Sequence, residues 1–157
     1  MSNPDLPPLL PLPEGVHPLH DVRRVVRMWE GPMHRDPAVE RLLARPDVVF
    51  WQVGHEEGLY ALYDVQPGLT GNVSINLWSP RIMGRDSIPK HREMLKYMFN
   101  AFDLKRIGAT VAIGNKLSIK LAGRVGFVQE GLARNWGFYK GELTDWFTYS
   151  LLPDEVA

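Results

Sequence analysis

The stretch Asn115-Lys116-Leu117-Ser118-Ile119-Lys120-Leu121-Ala122-Gly123-Arg124-Val125-Gly126-Phe127 decides how the rest of the chain is read. Just upstream, Ile107, Ala109, Val111 and Ile113 recur at every second position, the period of a strand. Gly114-Asn115 breaks that period and opens a helix, with Leu117 and Leu121 pointing one way and Gly126 as the stop. Beyond it, strand-like runs from Phe127 to Tyr139 and from Leu143 to Leu152 meet through Lys140-Gly141 and predict a closing hairpin.

Working back from that stretch, residues 88 to 102 carry Ile88, Leu95, Met98, Phe99 and Phe102 on one helical face, with Lys90, Arg92 and Lys96 elsewhere on the surface. Before them lie three strand-like runs, Val48 to Val53, Leu59 to Val65 and Val73 to Trp78. The turn residues between them, His55-Glu56-Glu57-Gly58, Pro67-Gly68 and Gly71, make this an antiparallel meander. Two helices are predicted further upstream. One runs from Asp21 with Val22, Val25, Val26 and Trp29 on its apolar side and ends near Gly31-Pro32. The other is capped by Asp36 before Pro37, buries Val39, Leu42 and Leu43, and stops at Pro46. Pro4, Pro7, Pro8, Pro11 and Pro13 remove backbone donors, so residues 1–18 read as an extended arm whose leucines dock on the body. Residues 19–157 then form one domain of mixed sheet and flanking helices.

Composition narrows the function. A chain of 157 residues buries about 70% of its unfolded surface and needs no staples. Lys plus Arg equals Asp plus Glu at 18 each, which leaves no excess charge for neutralising nucleic-acid phosphates. With no cysteine there is no disulfide, thiolate zinc site or cysteine nucleophile, and no apolar run reaches membrane-spanning length. Asp5 and the prolines stand where a signal peptide needs a basic start and an unbroken apolar stretch, so a cytoplasmic location is expected. His17 and His20 have ligand-like spacing but flank Pro18 without a carboxylate cluster, and no metal is expected.

The 115–127 stretch resembles, position by position, the Asn-x-x-Ser-Ile-Arg-Leu-Leu-Glu-Lys-Leu-Gly-Phe pattern of the GNAT N-acetyltransferase superfamily. The likeness continues through Val128-Gln129-Glu130-Gly131, Leu132-Ala133-Arg134, Asp145 and Tyr149-Ser150-Leu151-Leu152, and this tail is similar to the ribosomal-protein alanine acetyltransferase branch. Upstream, the likeness lies in the order of elements. The resemblance implies an α/β (α+β) fold: a mixed, mostly antiparallel twisted sheet of six to seven strands flanked by helices, splayed between its fourth and fifth strands. It also implies acetyl-CoA as co-substrate, an amine acceptor such as a protein terminus, a lysine or a small molecule, and direct attack of that amine, with a homodimer as one assembly.

The same resemblance assigns sites. Leu77, Trp78 and Ser79 fall where the family's fourth strand offers free backbone groups to the pantetheine amides. Arg81, Gly84, Arg85, Asp86 and Ser87 fall at the diphosphate cradle, on residues leading into a helix N-terminus. The run Arg81-Ile82-Met83-Gly84-Arg85-Asp86 keeps the first two positions of the family's Gln/Arg-x-x-Gly-x-Gly/Ala motif and replaces the last. Asp86 is a good N-cap that competes with a phosphate for the same N–H groups, and Pro89 removes one donor. Arg81, Arg85, Lys90, His91 and Arg92 are the cations expected around that turn.

Asn115 and Ser118 match positions that contact CoA, and Ser118 is the candidate proton donor to the leaving thiolate. The family's Tyr or Glu on this helix is replaced by Ala122 and Gly123. Asp64 is the candidate general base, with His55, Glu56 and Glu57 as others, while Glu130 and Asp145 are expected to orient the hairpin. Trp136, Tyr139 and Trp146 are read as cross-strand packing in preference to an acceptor wall. Two functions follow: an acetyl-CoA-dependent N-acyltransferase, or a GNAT-fold binding or structural module without turnover.

Overall fold

The computed structural model describes residues 10–19, 45, 47–54, 57–77 and 87–156, with the side chains of 76 and 77 outside that description. The helices expected over 21–31 and 36–46 lie outside these residues. Along the chain come β1 (Val16–Leu19), β2 (Val49–Val53), β3 (Gly58–Gln66), β4 (Thr70–Leu77), α1 (Ile88–Phe102), β5 (Arg106–Ala112), α2 (Lys116–Val125), β6 (Val128–Tyr139), β7 (Glu142–Leu151) and a short 3-10 turn, Pro153–Glu155. The strands form one seven-stranded sheet in the order β1-β2-β3-β4-β5-β7-β6. Of the pairings between its strands, β4 with β5 is the parallel one. The mixed, mostly antiparallel sheet expected from the sequence is therefore present.

The end of the proline-rich arm is part of the sheet. Val16 to Leu19 pair antiparallel with β2, Val16 and Leu19 are buried, and Leu12 packs against the core. Pro18 is tolerated because β1 is an edge strand, where a missing N–H breaks no second ladder.

α1 buries Ile88, His91, Met94, Leu95, Met98 and Phe99, a stripe with the spacing of one helical face. Met94, Leu95 and Met98 are almost wholly excluded from water, each contributing about 1.5–3 kcal/mol. Trp51 on β2 meets Tyr97 and Phe102 edge-on, with ring centroids 6.2 and 6.4 Å apart. α1 ends at Asp103, whose left-handed backbone (φ 52°) returns its N–H to the Phe99 carbonyl.

α2 is capped as the sequence reads. The Asn115 side chain accepts from the Ser118 N–H at 3.2 Å, and Gly126, at φ 119°, closes the helix onto the Ala122 carbonyl. Its buried stripe differs from the expected one. Ala122 and Val125 are buried with Ile119 and Leu121 partly covered, while Leu117 is 57% exposed. At 3.6 residues per turn Leu117 lies about 140° around the helix from Ala122 and so misses the sheet.

Strand alternation then sorts the sheet into two faces. Trp51, Tyr60, Leu62, Val73, Ile107, Val111, Tyr149 and Leu151 share the face that packs on α1 and α2. Asn72, Ser74, Gly108, Thr110, Ala112, Trp146, Thr148 and Ser150 fall on the opposite face.

Candidate active site

The sheet opens where β4 and β5 part. Their parallel ladder has three pairs, Thr70 with Arg106, Gly71 with Ile107 and Asn72 with Gly108. Beyond these, Val73 to Leu77 pairs with β3 on one side, and among the described residues no strand ladder continues on the other. β5 from Ala109 to Ala112 is likewise paired on its β7 side alone. The vertex of this wedge is tightly fitted, because a Cβ on Gly108 would stand 2.4 Å from the Asn72 side-chain oxygen. Only glycine lets Asn72 lie across β5 at the point where the strands separate.

Both helices begin at the open end. β5 runs straight into the Asn115 cap of α2, and α1 starts at Ser87, ten residues after β4 ends. The first turn of α1 has no side-chain cap hydrogen bond and no acidic residue, so its N–H groups keep their positive character. The N-cap position belongs to Ser87, one residue later than the Asp86 cap read from the sequence.

The predicted site residues divide. Leu77, Ser87, Asn115 and Ser118 all lie at the open end, on β4, at the start of α1 and at the start of α2. Trp78, Ser79, Arg81, Gly84, Arg85 and Asp86 lie outside the described residues, as do His55 and Glu56. Asp64 is not brought to the wedge. It sits at the break in the β3–β4 ladder between Tyr63 and Gln66, level with the closed end, in left-handed backbone (φ 51°) and ion-paired to Arg45. Glu57 is at the open end of the sheet, but its carboxylate folds over Gly54 in its own turn.

Of the cations expected around that turn, the three among the described residues are engaged elsewhere. Arg92 donates to the Arg124 and Val125 carbonyls at 2.7 and 3.4 Å, closing the C-terminal end of α2. The Lys90 ammonium reaches toward Gly15 before β1. His91 turns inward, 1% exposed, with its Nδ1 at 2.6 Å from the Tyr60 hydroxyl. Burial first, and the charge of Lys90 second, lower its pKa to about 4, so it is a neutral core residue. No local sequence signal points to this partner, which is contributed by β3 thirty-one positions away.

Glu130 and Asp145 orient the hairpin. Glu130 pairs with Arg106 at 2.6 Å, and hydrogen bonds from Arg106 and Ser150 hold its carboxyl below the usual range. Asp145 accepts from the Asn135 N–H at 2.8 Å. Among the described residues no group of three metal-ligating side chains occurs, and no helix is long and apolar enough to cross a membrane.

A seven-stranded sheet parted between β4 and β5, with two helix N-termini at the parting, has counterparts among solved structures. A variant of the spermidine N-acetyltransferase SpeG from Vibrio cholerae superposes with a TM-score of 0.70 over 90% of this chain and 96% of that one, at 17% identity. A provisionally named acetyltransferase from T. thermophilus gives 0.67 over 89% and 86%, at 20% identity. The fold is that of the GNAT superfamily. Sequence agrees with it: an uncharacterised N-acetyltransferase, p20 of Bacillus licheniformis, is 39% identical over 66 residues, 42% of this chain and 37% of that protein. YdaF of Bacillus subtilis (strain 168), provisionally named a ribosomal N-acetyltransferase, is 36% identical over 64 residues, 41% of this chain and 35% of that protein. These GNAT matches span little more than a third of the curated relatives' length. No family model matches the chain.

Proposed function

We propose that the chain is a cytoplasmic acyl-CoA-dependent N-acyltransferase that moves acetyl from acetyl-CoA to a primary amine by direct attack. The observation that carries this reading is the parting of β4 from β5 after Asn72 and Gly108, beside an α1 first turn that lacks a side-chain cap. The residues present fit the co-substrate on two counts. Where the β4–β5 ladder ends after Asn72 and Gly108, the edge of β4 that faces β5 gives a peptide-like pantetheine room to lie in the manner of an added strand. The first turn of α1, with no acidic residue and no side-chain cap hydrogen bond from Ser87, favours an anion such as the diphosphate.

When bound, acetyl-CoA supplies the acyl group on a thioester. The chain's own work is to exclude water, orient the amine and protonate what leaves. In balance, the amine nitrogen forms a bond to the acyl carbon, the carbon–sulfur bond breaks, the amine gives up a proton and the sulfur gains one. Ser118, half-buried in the first turn of α2, is our candidate donor to that sulfur. Along Val73 to Leu77 and Ala109 to Ile113 no side chain is a carboxylate or imidazole, so the amine loses its proton to water in this reading.

Calorimetric titration of acetyl-CoA into the wild-type chain and Asp86→Gly tests it. Micromolar binding by the wild type supports the enzyme. Binding by Asp86→Gly alone, or by neither, replaces it with a GNAT-fold module that lacks turnover.

A further inference from the structure

Three aromatic side chains of the last hairpin lie outside the core, although hairpin aromatics at such spacing ordinarily pack as core. Trp136 is 47% exposed, and Trp146 and Tyr139 are half-buried. Trp136 and Trp146 stand 5.2 Å apart with ring planes tilted by 48°, an open corner.

The backbone is built to present that corner. The β6–β7 register breaks between Ala133 and Gly137, so residues 134–136 stand outside the ladder. Asn135 takes left-handed backbone (φ 47°), held there by the Asp145 carboxylate accepting its N–H at 2.8 Å. The Trp146 indole N–H donates to the Gly137 carbonyl at 3.2 Å and fixes its ring. A bulge stabilised at both flanks re-aims a side chain, and here the side chain re-aimed to the surface is Trp136.

Position ties the corner to the wedge. Trp146 pairs with Ala112, the last residue of β5, on the face opposite the helices. Tyr139 lies against Gly114, where a Cβ would be 3.3 Å from its ring. The aromatics thus run outward from the β5 side of the wedge mouth: Tyr139 and Trp146 beside Gly114 and Ala112, then Trp136. Between the wedge and this corner the same face carries Thr110 and Thr148, the Arg106 and Glu130 charges of that face pair with each other at 2.6 Å, and the Asp145 carboxylate is engaged by the Asn135 N–H.

We infer that the Trp136–Trp146 corner is an acceptor subsite, taking an aromatic or flat heterocyclic group attached to the amine. This rests on the transferase reading above. π-faces beside a floor whose charges are already partnered suit a ring, whereas a polyamine asks for carboxylates left to partner its ammonium groups.

The test compares tryptamine, butylamine and spermidine as acceptors for the full chain, and follows the Trp indole N–H resonances by NMR during titration with tryptamine. The expected result is a kcat/KM for tryptamine about tenfold above butylamine, the worth of one good ring contact, with spermidine no better than butylamine. In Trp136→Ala the tryptamine-to-butylamine ratio falls to near one and the Trp146 resonance no longer moves. Leu132→Ala, an exposed position on the other face of the same hairpin, keeps the ratio. Equal use of all three amines, a preference for spermidine, or a ratio unchanged in Trp136→Ala overturns the inference and leaves the transferase reading intact. Should the chain transfer acetyl to none of them, the resonances still decide: movement by tryptamine supports the ring subsite, and none rejects it. Dissociation of a dimer by Trp136→Ala would assign the corner to a second copy and overturn the inference as well.

Discussion

The Tyr60 hydroxyl meets His91 Nδ1 at 2.6 Å inside the core, joining β3 to the first turns of α1, and both residues are at most 1% exposed. Burial pushes the phenol's pKa far up and keeps the imidazole neutral, so the bond joins two neutral groups and the imidazole's tautomer sets which of them donates. His91 Nε2 is buried and has no hydrogen-bond partner among the described residues.

The first prediction is acid lability. An unfolded imidazole titrates near 6.5 and the folded one at about 4, so between those values the unfolded chain binds more protons. The stability linked to His91 is therefore complete above about pH 6.5 and is lost as pH falls toward 4, on the order of 3 kcal/mol in all. Denaturant unfolding at pH 7 and pH 4.5 measures it. His91→Gln should flatten that part of the profile, and an unchanged profile in the variant would show that other groups cause the loss.

Removing the other partner gives a second prediction. Tyr60→Phe keeps the ring and its packing but takes from Nδ1 its hydrogen-bond partner in the core, at a cost of about 1–3 kcal/mol. Thermal melts at pH 7.5 check this, and a melting temperature equal to wild type would mean that water replaces the phenol.

The vertex of the wedge supplies a third. Gly108→Ala forces a methyl into the space of the Asn72 amide, so either Asn72 leaves or β4 and β5 are pushed apart. Overpacking of this kind costs about 1–3 kcal/mol. Adding Asn72→Ala should restore most of it, because the clash is with that side chain and not with backbone. A double variant no more stable than Gly108→Ala alone rejects the fit.

What the sequence makes legible is what is local. The 115–127 stretch carries its own cap in Asn115 and its own stop in Gly126, while the expected stripe of Leu117 and Leu121 gives way to Ala122 and Val125. The hairpin follows from Lys140-Gly141, where both residues take positive φ. Long-range partners are a different matter. Nothing near His91 says that Tyr60 awaits it, and Arg92 looks like a surface cation until α2 is folded beside it. Asp64 reads in the sequence as a candidate base on the third strand, yet its height along β3, fixed by the ladder to β4, sets it beside the closed end of the wedge. The aromatic corner is hidden for a related reason: a bulge, not strand alternation, decides where Trp136 points.

The pH dependence of the reaction is the last prediction, and it separates two kinds of transferase. With a general base in the wedge, kcat/KM would follow the base and level off near neutrality. The strand segments that line this wedge, Val73 to Leu77 and Ala109 to Ile113, offer hydroxyls, amides and apolar groups instead, and the imidazole of His91 is spent on Tyr60. The amine must then arrive already neutral. For an acceptor with the pKa of a lysine, about 10.4, kcat/KM should climb close to tenfold per pH unit from 6.5 to 9.5, and for a peptide N-terminus, about 7.7–8.0, it should bend near pH 8. Initial rates with one acceptor of each kind, across that range, give the answer. Two curves that bend at the same pH regardless of acceptor would assign the proton to a residue of the chain, to be sought by substitution among His55, Glu56 and residues 78–86, which lie outside the described residues.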